Sequence, residues 1–233
     1  MVHNHADLTL APSTIAAWTL RQHGIANVAQ WARGVDTKRF NPAHRSALLR
    51  RQFSPSGELV VGYVGRLAPE KQVHLLAHVD GLAGTRTVIV GDGPSAAKLR
   101  QQLSRATFVG FKSGAELSAH VASLDVFVHT GADETFCQAI QEALAAGVPV
   151  IAPAAGGPLD LVRHGDNGLL YPPSDPALMA QAVLELVANP QLRQRLAARA
   201  RPSVEGRSWE SVGDELIGYY ERVIGQPARR RAA

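Results

Sequence analysis

The sequence predicts an α/β fold built on a parallel sheet with flanking helices. Short runs rich in β-branched residues alternate with helix-period segments through the middle of the chain, the pattern of βαβ units. Glycine and proline clusters close the runs, as at Gly91-Asp92-Gly93-Pro94. Beyond Pro173 the pattern is helical only. Of 233 residues, 45% are apolar and 19% charged, which allows a sizeable buried core.

Asp7–Ala11 reads as a first strand, with Pro12 in the first turn of a helix ending near Gly24. Ser54-Pro55-Ser56-Gly57 is a turn-rich break. Glu58–Gly65 is a strand, followed by a loop and a helix through Leu75. Strands then follow at Arg86–Val90, Ala106–Val109, Asp125–His129 and Val148–Ala152, and near Gly168–Tyr171. Between them lie helices Ser95–Leu103, Ser113–Ser123 and Phe136–Ala146. Pro176–Ala188, Pro190–Arg201 and Trp209–Ile224 close the chain as helices. Residues from Gln226 onward are expected to be disordered. Right-handed crossovers would place ligands beyond the carboxyl ends of the strands.

Composition narrows the chemistry. The net charge of +4 suits an anionic ligand without demanding nucleic acid. Basic residues are scattered, apart from Arg229, Arg230 and Arg231. Cys137 is the single cysteine, so no internal disulfide forms, which suits a reducing compartment. The start carries His3, His5 and Asp7 where a signal peptide would be basic and then apolar. Ala143–Leu159 lacks charge but is broken by prolines and too short for a membrane span. A cytoplasmic chain is expected, at most peripheral at the inner face of a membrane. The histidines show no metal-ligand spacing and no D-x-D pair occurs, so neither a metal nor a cofactor is expected.

Four segments bear on a ligand. Gly65-Arg66-Leu67-Ala68-Pro69-Glu70-Lys71 follows a strand, where two cations can grip a diphosphate; a solvated loop is the competing reading. Gly91-Asp92-Gly93-Pro94-Ser95-Ala96 matches G-x-G-x-x-A. The acid required about 20 positions on is missing, so a tight turn is favoured over a nicotinamide site. Glu134-Thr135-Phe136-Cys137-Gln138-Ala139-Ile140-Gln141-Glu142 is the richest. Thr135 and Gln138 form a capping box, starting the helix at Phe136. Gln138 and Glu142 share the face opposite Ile140, Ala143 and Leu144. Thr135 to Glu142 spans roughly 10 Å along a helix, the reach from a sugar ring across a diphosphate to a ribose. Solvated glutamates on a capped helix are the competing reading. Gly156-Gly157 in Ala155–Asp160 either lets a ligand approach the backbone or is a plain loop.

Together these segments resemble the C-terminal, donor-binding domain of family-four glycosyltransferases, one Rossmann-like half of a GT-B fold. The resemblance covers nearly the whole chain and rests on Val64–Lys71, Val90–Pro94, Phe108–Phe111, and Glu134 preceding Glu142 in E-x7-E spacing. It implies that Gly65, Arg66, Lys71 and Gly91 line a nucleotide-sugar site in which Arg66 and Lys71 hold the diphosphate. Glu134 and the backbone of Phe136-Cys137-Gln138 would meet the sugar, Glu142 the ribose, and Val109 to Phe111 the base. Glu134, Arg66 and Lys71 would carry catalysis, with retention of configuration and without metal. The family commonly has glycine where this chain has Cys137, which bears on the shape of the sugar pocket. His129-Thr130-Gly131-Ala132 through Asp160 looks like actinobacterial GDP-mannose-dependent mannosyltransferases. The resemblance makes residues 1–205 the donor domain and residues 206–233 a C-terminal helix and basic tail. The N-terminal acceptor domain would be missing, so this chain alone would bind donor without transfer to a lipid or glycan acceptor. A binding module without turnover and a nicotinamide-dependent oxidoreductase are the alternatives.

Overall fold

The structure, a computed structural model, describes residues 2–225; the basic tail, with Arg229 to Arg231, lies outside them. Six parallel strands form the central sheet: β3 (Leu59–Val64), β4 (Thr85–Val90), β5 (Thr107–Gly110), β6 (Val126–Val128), β7 (Val150–Pro153) and β8 (Gly168–Tyr171). Their order is β5-β4-β3-β6-β7-β8. The numbering β3 follows from a separate two-stranded parallel sheet, β1 (Thr9–Ala11) with β2 (Val28–Gln30). In the six-stranded sheet the order reverses between β3 and β6, the arrangement of a dinucleotide-type doubly wound fold.

The sequence dictates the sheet's centre. Every residue of β3 is buried, as expected for a parallel strand covered on both faces. Gly62 is required there, because a Cβ would fall 2.3 Å from the Leu124 side chain. One core cluster, with Val60, Val88, Phe127 and Ile140, fills one side of the sheet. The other, with Val61, Tyr63, Ile89 and Leu76, fills the opposite side, so alternate strand residues serve the two layers. At the amino edge Asp125 joins Arg45 and Arg50 at 2.6 and 2.7 Å and accepts from the Val60 amide at 2.8 Å.

The helices are α1 (Thr14–Gln22), α2 (Ala47–Phe53), α3 (Ala96–Gln102), α4 (Gly114–Ala122), α5 (Gln138–Ala145), α6 (Pro158–Leu161), α7 (Pro176–Ala188), α8 (Pro190–Ala200) and α9 (Trp209–Ile224). Side-chain caps fix several starts: Ser13 accepts from Ala16, Asp175 from Ala177, Asn189 from Leu192 and Ser208 from Ser211. Ser13 as the cap of α1 places Pro12 before the helix, not in its first turn. The helix expected through Leu75 is two 3₁₀ turns, Pro69–Lys71 and Val73–His78, separated by Gln72 in the left-handed region. Strand β2, helix α2 and helix α6 lie where no regular element was expected.

The helix α9 crosses to the small sheet. The Trp31 indole donates to Val212 O at 2.9 Å and Tyr219 OH to Gln30 O at 2.7 Å. Val212 is its one buried residue, while Ile217, Tyr220 and Ile224 stay exposed, so its apolar face is partly uncovered. No helix among the described residues is long and apolar enough to cross a membrane.

Candidate functional site

Two adjoining cavities open beyond the carboxyl ends of β3, β4 and β6, at the point where strand order reverses. The first, about 500 Å³, is lined among others by Arg66, Gly91, Phe111, Lys112, Gln138 and Glu142. The second, about 340 Å³, is lined by Arg33, Lys71, His129, Glu134, Phe136 and Cys137 with their neighbours. Val64, Gly65, Arg66, Gln138 and Ala139 border both. The loop after β3 and the first turn of α5 thus form the threshold between them. Helix α5 directs its N-terminal N–H groups there, a setting that favours an anion.

Backbone interlocking holds these loops. Leu67 N donates to Asp92 O and Ser95 N to Leu67 O, both at 2.9 Å. The contact is so close that a Cβ on Gly91 would lie 1.9 Å from Gly65 O, and one on Gly93 2.4 Å from Leu67 O. The glycines of the G-x-G-x-x-A segment therefore serve loop-on-loop packing, and Asp92 caps its own turn by accepting from Gly93 N at 2.8 Å. Gly156-Gly157 acts in the same way. A Cβ on Gly157 would come within 2.4 Å of Phe136 Cα, and Gly157 N donates to Glu134 O at 2.6 Å. These glycines pack against the chain's own backbone and so set the height of Glu134.

The capping box is not formed. Helix α5 begins at Gln138, and Cys137 is its cap residue at φ 74°, ψ 78°, with no side-chain hydrogen bond. Gln138 instead donates from Nε2 to Gly34 O at 2.9 Å, beside Gln141 Nε2 on Arg33 O at 3.0 Å. Competing tertiary acceptors took the side chain that the box required. The same left-handed backbone at Cys137 explains why glycine suits this position.

Charge is concentrated in the second cavity. Glu134 Oε1 lies 2.7 Å from Lys71 Nζ and 3.2 Å from His129 Nε2. Desolvation opposes its ionisation, but the hydrogen bonds from His129 and Lys71 prevail and its pKa is lowered. His129 is buried at 2% exposure and stacks on Tyr63 at 6.5 Å. Burial disfavours its cation, yet Cys137 and Glu134 outweigh burial and push it up to about 9. In the first cavity the Glu142 carboxylate has no hydrogen-bond or ion-pair partner among the described residues. Burial raises its pKa to about 7, against a weaker pull from Arg39. Arg66 is exposed and its guanidinium is likewise unpaired among the described residues.

Most of the expected residues converge. Gly65, Arg66 and Gln138 line both cavities; Gly91, Phe111 and Glu142 the first; Lys71, Glu134, Phe136 and Cys137 the second. Val109 does not line either: it packs against the core from β5, while Phe111, 74% exposed, reaches the cavity edge. Lys71 faces Glu134. His129 was missed as a site residue, although its place directly after β6 was a signal. Lys112 was missed as well. His164 is structural, its Nδ1 accepting from Leu170 N at 3.0 Å.

Residues 45–202 match the family model described as Glycosyl transferases group 1. A GDP-mannose-dependent alpha-mannosyltransferase of Mycobacterium tuberculosis is 50% identical over 232 residues, 99% of this chain and 61% of that protein. A protein of the same description from Corynebacterium glutamicum is 46% identical, over 98% of this chain and 55% of its own length. The chain thus spans about 61% and 55% of these relatives. Among solved structures, Anabaena HepE in complex with UDP and glucose superposes with a TM-score of 0.83 at 26% identity, covering 93% of this chain and 63% of that one.

Proposed function

This chain belongs to the group 1 glycosyl transferases, and on that premise we propose that it holds the donor of a retaining hexosyl transfer, with GDP-mannose as that donor. The carrying observation is the shared threshold. A carboxylate stands in each cavity, Glu142 in one and Glu134 in the other, and Gly65-Arg66 and Gln138-Ala139 lie between. A nucleotide diphosphate sugar has the same order of parts: base and ribose, diphosphate, sugar.

Each group then has a task. Glu142, unpaired and half-desolvated, accepts from the ribose hydroxyls. Phe111 offers a ring face to the base. Arg66 and the start of α5 take the diphosphate, where the guanidinium gives forked hydrogen bonds. Glu134 accepts from sugar hydroxyls, oriented by Lys71 and His129. As the bond from the anomeric carbon to the phosphate oxygen breaks, charge builds on the diphosphate, and the Arg66 side of the site stabilises it. The leaving diphosphate accepts the acceptor's proton on the same face, which preserves configuration. The mannosyl specificity is supported by the naming of the two bacterial relatives.

Calorimetric titration with GDP, GDP-mannose, UDP, UDP-glucose and NAD tests the reading. Tightest binding by GDP-mannose is expected. Preference for NAD would overturn the donor site, and preference for UDP-glucose would overturn the choice of donor alone. Turnover is tested separately, with acceptor present, by the anomeric configuration of the product. Because this chain alone is expected to bind donor without transfer, only failure of transfer when it is combined with the remaining part of a full-length relative would favour a binding module.

A further inference from the structure

Arg33 lines the second cavity together with Arg66 and Lys71, and Glu134 is the one carboxylate in that lining. Lys71 Nζ rests on Glu134 Oε1 at 2.7 Å, and His129 Nε2 lies 3.2 Å from the same oxygen. The carboxylate is thus engaged. Arg33 and Arg66 remain as guanidiniums without a hydrogen-bond or ion-pair partner among the described residues. Two uncompensated guanidiniums at one opening, beside the N-terminal N–H groups of α5, suit a ligand carrying more than one negative charge.

The root of Arg33 is fixed although its head is free. Its carbonyl oxygen accepts from Nε2 of Gln141 at 3.0 Å, and the next carbonyl, Gly34 O, accepts from Nε2 of Gln138 at 2.9 Å. Gln141 is fully buried, so a polar side chain in the core directs its donor at this segment. From the other side, Val35 N donates to Arg207 O at 2.8 Å. Gly34 packs so closely on the start of α9 that a Cβ would lie 2.7 Å from the Trp209 backbone. The segment is clamped between α5 and α9, and Arg33 has only side-chain freedom to lose on binding, which lowers the cost of a contact.

The two arginines sit differently along the cavities. Arg66 borders both, whereas Arg33 lines only the second. With the ribose at Glu142 and the sugar at Glu134, the phosphate nearer the sugar falls on the second-cavity side of the threshold. When the bond from the anomeric carbon to that phosphate's oxygen breaks, the electron pair stays on the oxygen. A guanidinium there meets the growing charge.

We propose that Arg33 is a second guanidinium clamp on the donor, contacting the sugar-proximal β-phosphate while Arg66 spans the diphosphate; this inference rests on the proposed donor site.

Calorimetry of the unaltered chain, Arg33→Ala and Arg33→Lys with GMP, GDP and GDP-mannose tests the contact. Arg33→Ala should weaken GDP and GDP-mannose by roughly 10- to 150-fold, the range for loss of a charge-assisted hydrogen bond. It should change GMP little, since GMP has no second phosphate; a general loss of charge or damage to the fold would penalise GMP as well. Arg33→Lys should stay weaker than the unaltered chain, because an ammonium cannot reproduce the fork. Unchanged GDP affinity in Arg33→Ala, equal losses of GDP and GMP, or full recovery in Arg33→Lys overturns the role of Arg33. If the unaltered chain binds GDP no more tightly than GMP, the donor site itself fails. If it prefers GDP and Arg33→Ala keeps that preference intact, Arg33 alone falls and the donor site stands.

Discussion

The Lys71 ammonium rests 2.7 Å from Oε1 of Glu134, so the two residues expected to serve different parts of the ligand are partners in the free protein. Lys71 is engaged, whereas the exposed Arg66 guanidinium is free among the described residues. On the proposed donor site, the pairing would divide the work of binding a diphosphate unequally.

Arg66→Ala is accordingly expected to weaken GDP by about 1.5–3 kcal/mol, the range for a charge-assisted hydrogen bond, or roughly 10- to 150-fold. Lys71→Ala should weaken GDP less, because removing it breaks an ion pair that does not contact the free cavity threshold. Calorimetry at two salt concentrations checks both, with the Arg66 contribution shrinking at higher salt. Unchanged affinity in Arg66→Ala would remove it from the diphosphate site.

Glu142 makes binding sensitive to pH. Its folded pKa of about 7 lies above the ordinary 4.5, because burial penalises the carboxylate. Ribose hydroxyls donate to the ionised form, so GDP-mannose should bind more tightly as pH rises from about 6 to 8. GDP-mannose is the better probe than GDP, whose terminal phosphate titrates in the same window. Glu142→Gln should flatten the profile and narrow the gap between the ribonucleotide and its 2′-deoxy analogue.

The same shift has a consequence for stability. Between pH 4.5 and about 7 the folded state holds a proton at Glu142 that the unfolded state has released. Stability therefore falls as pH rises through this window, and Glu142→Gln should recover on the order of 1–3 kcal/mol at pH 8 and little at pH 4. Urea denaturation of both proteins at the two pH values measures it. A variant less stable than the parent at pH 8 would contradict the desolvation argument.

Glu134→Gln should spare GDP and penalise GDP-mannose, since Glu134 lies in the second cavity and Glu142 in the first. Parallel titrations of the bare nucleotide and the nucleotide-sugar separate the two effects. Equal losses of both ligands would show damage to the fold instead of a lost sugar contact.

Gly157→Ala tests the support beneath the second cavity, proposed to hold the sugar. Its Cβ would stand 2.4–2.5 Å from the Phe136 backbone, so the Glu134–Phe136 segment must move. A destabilisation of about 1–3 kcal/mol is expected from overpacking, together with a larger loss of GDP-mannose than of GDP. Thermal unfolding and calorimetry read the two parts, and a neutral effect on both would mean that the loop yields without cost.

The sequence by itself determined the alternation that makes this fold. Leu59–Val64 is apolar on both faces, Thr85–Val90 is rich in β-branched residues, and Ser208, Asp175 and Asn189 announce helix starts through their own side chains. Those signals are local, so they can be read without knowing what lies across the sheet. The spacing of Glu134 and Glu142 was legible for the same reason, as was the cation pair Arg66 and Lys71. Val28–Gln30 was not, because a strand of three residues carries too little pattern. Only the tertiary structure decided what these residues touch. Parallel strand order carries the loops after β3, β4 and β6 to one edge, and contacts between segments far apart in the chain depend on that order and register. Gly91 became a seat for Gly65 O, Gln138 left its capping box for Gly34 O, and Lys71 closed on Glu134. His129 and Cys137 gained their meaning there too. A cysteine held at φ 74° beside a buried imidazole is set by the folded backbone, which no spacing of letters encodes.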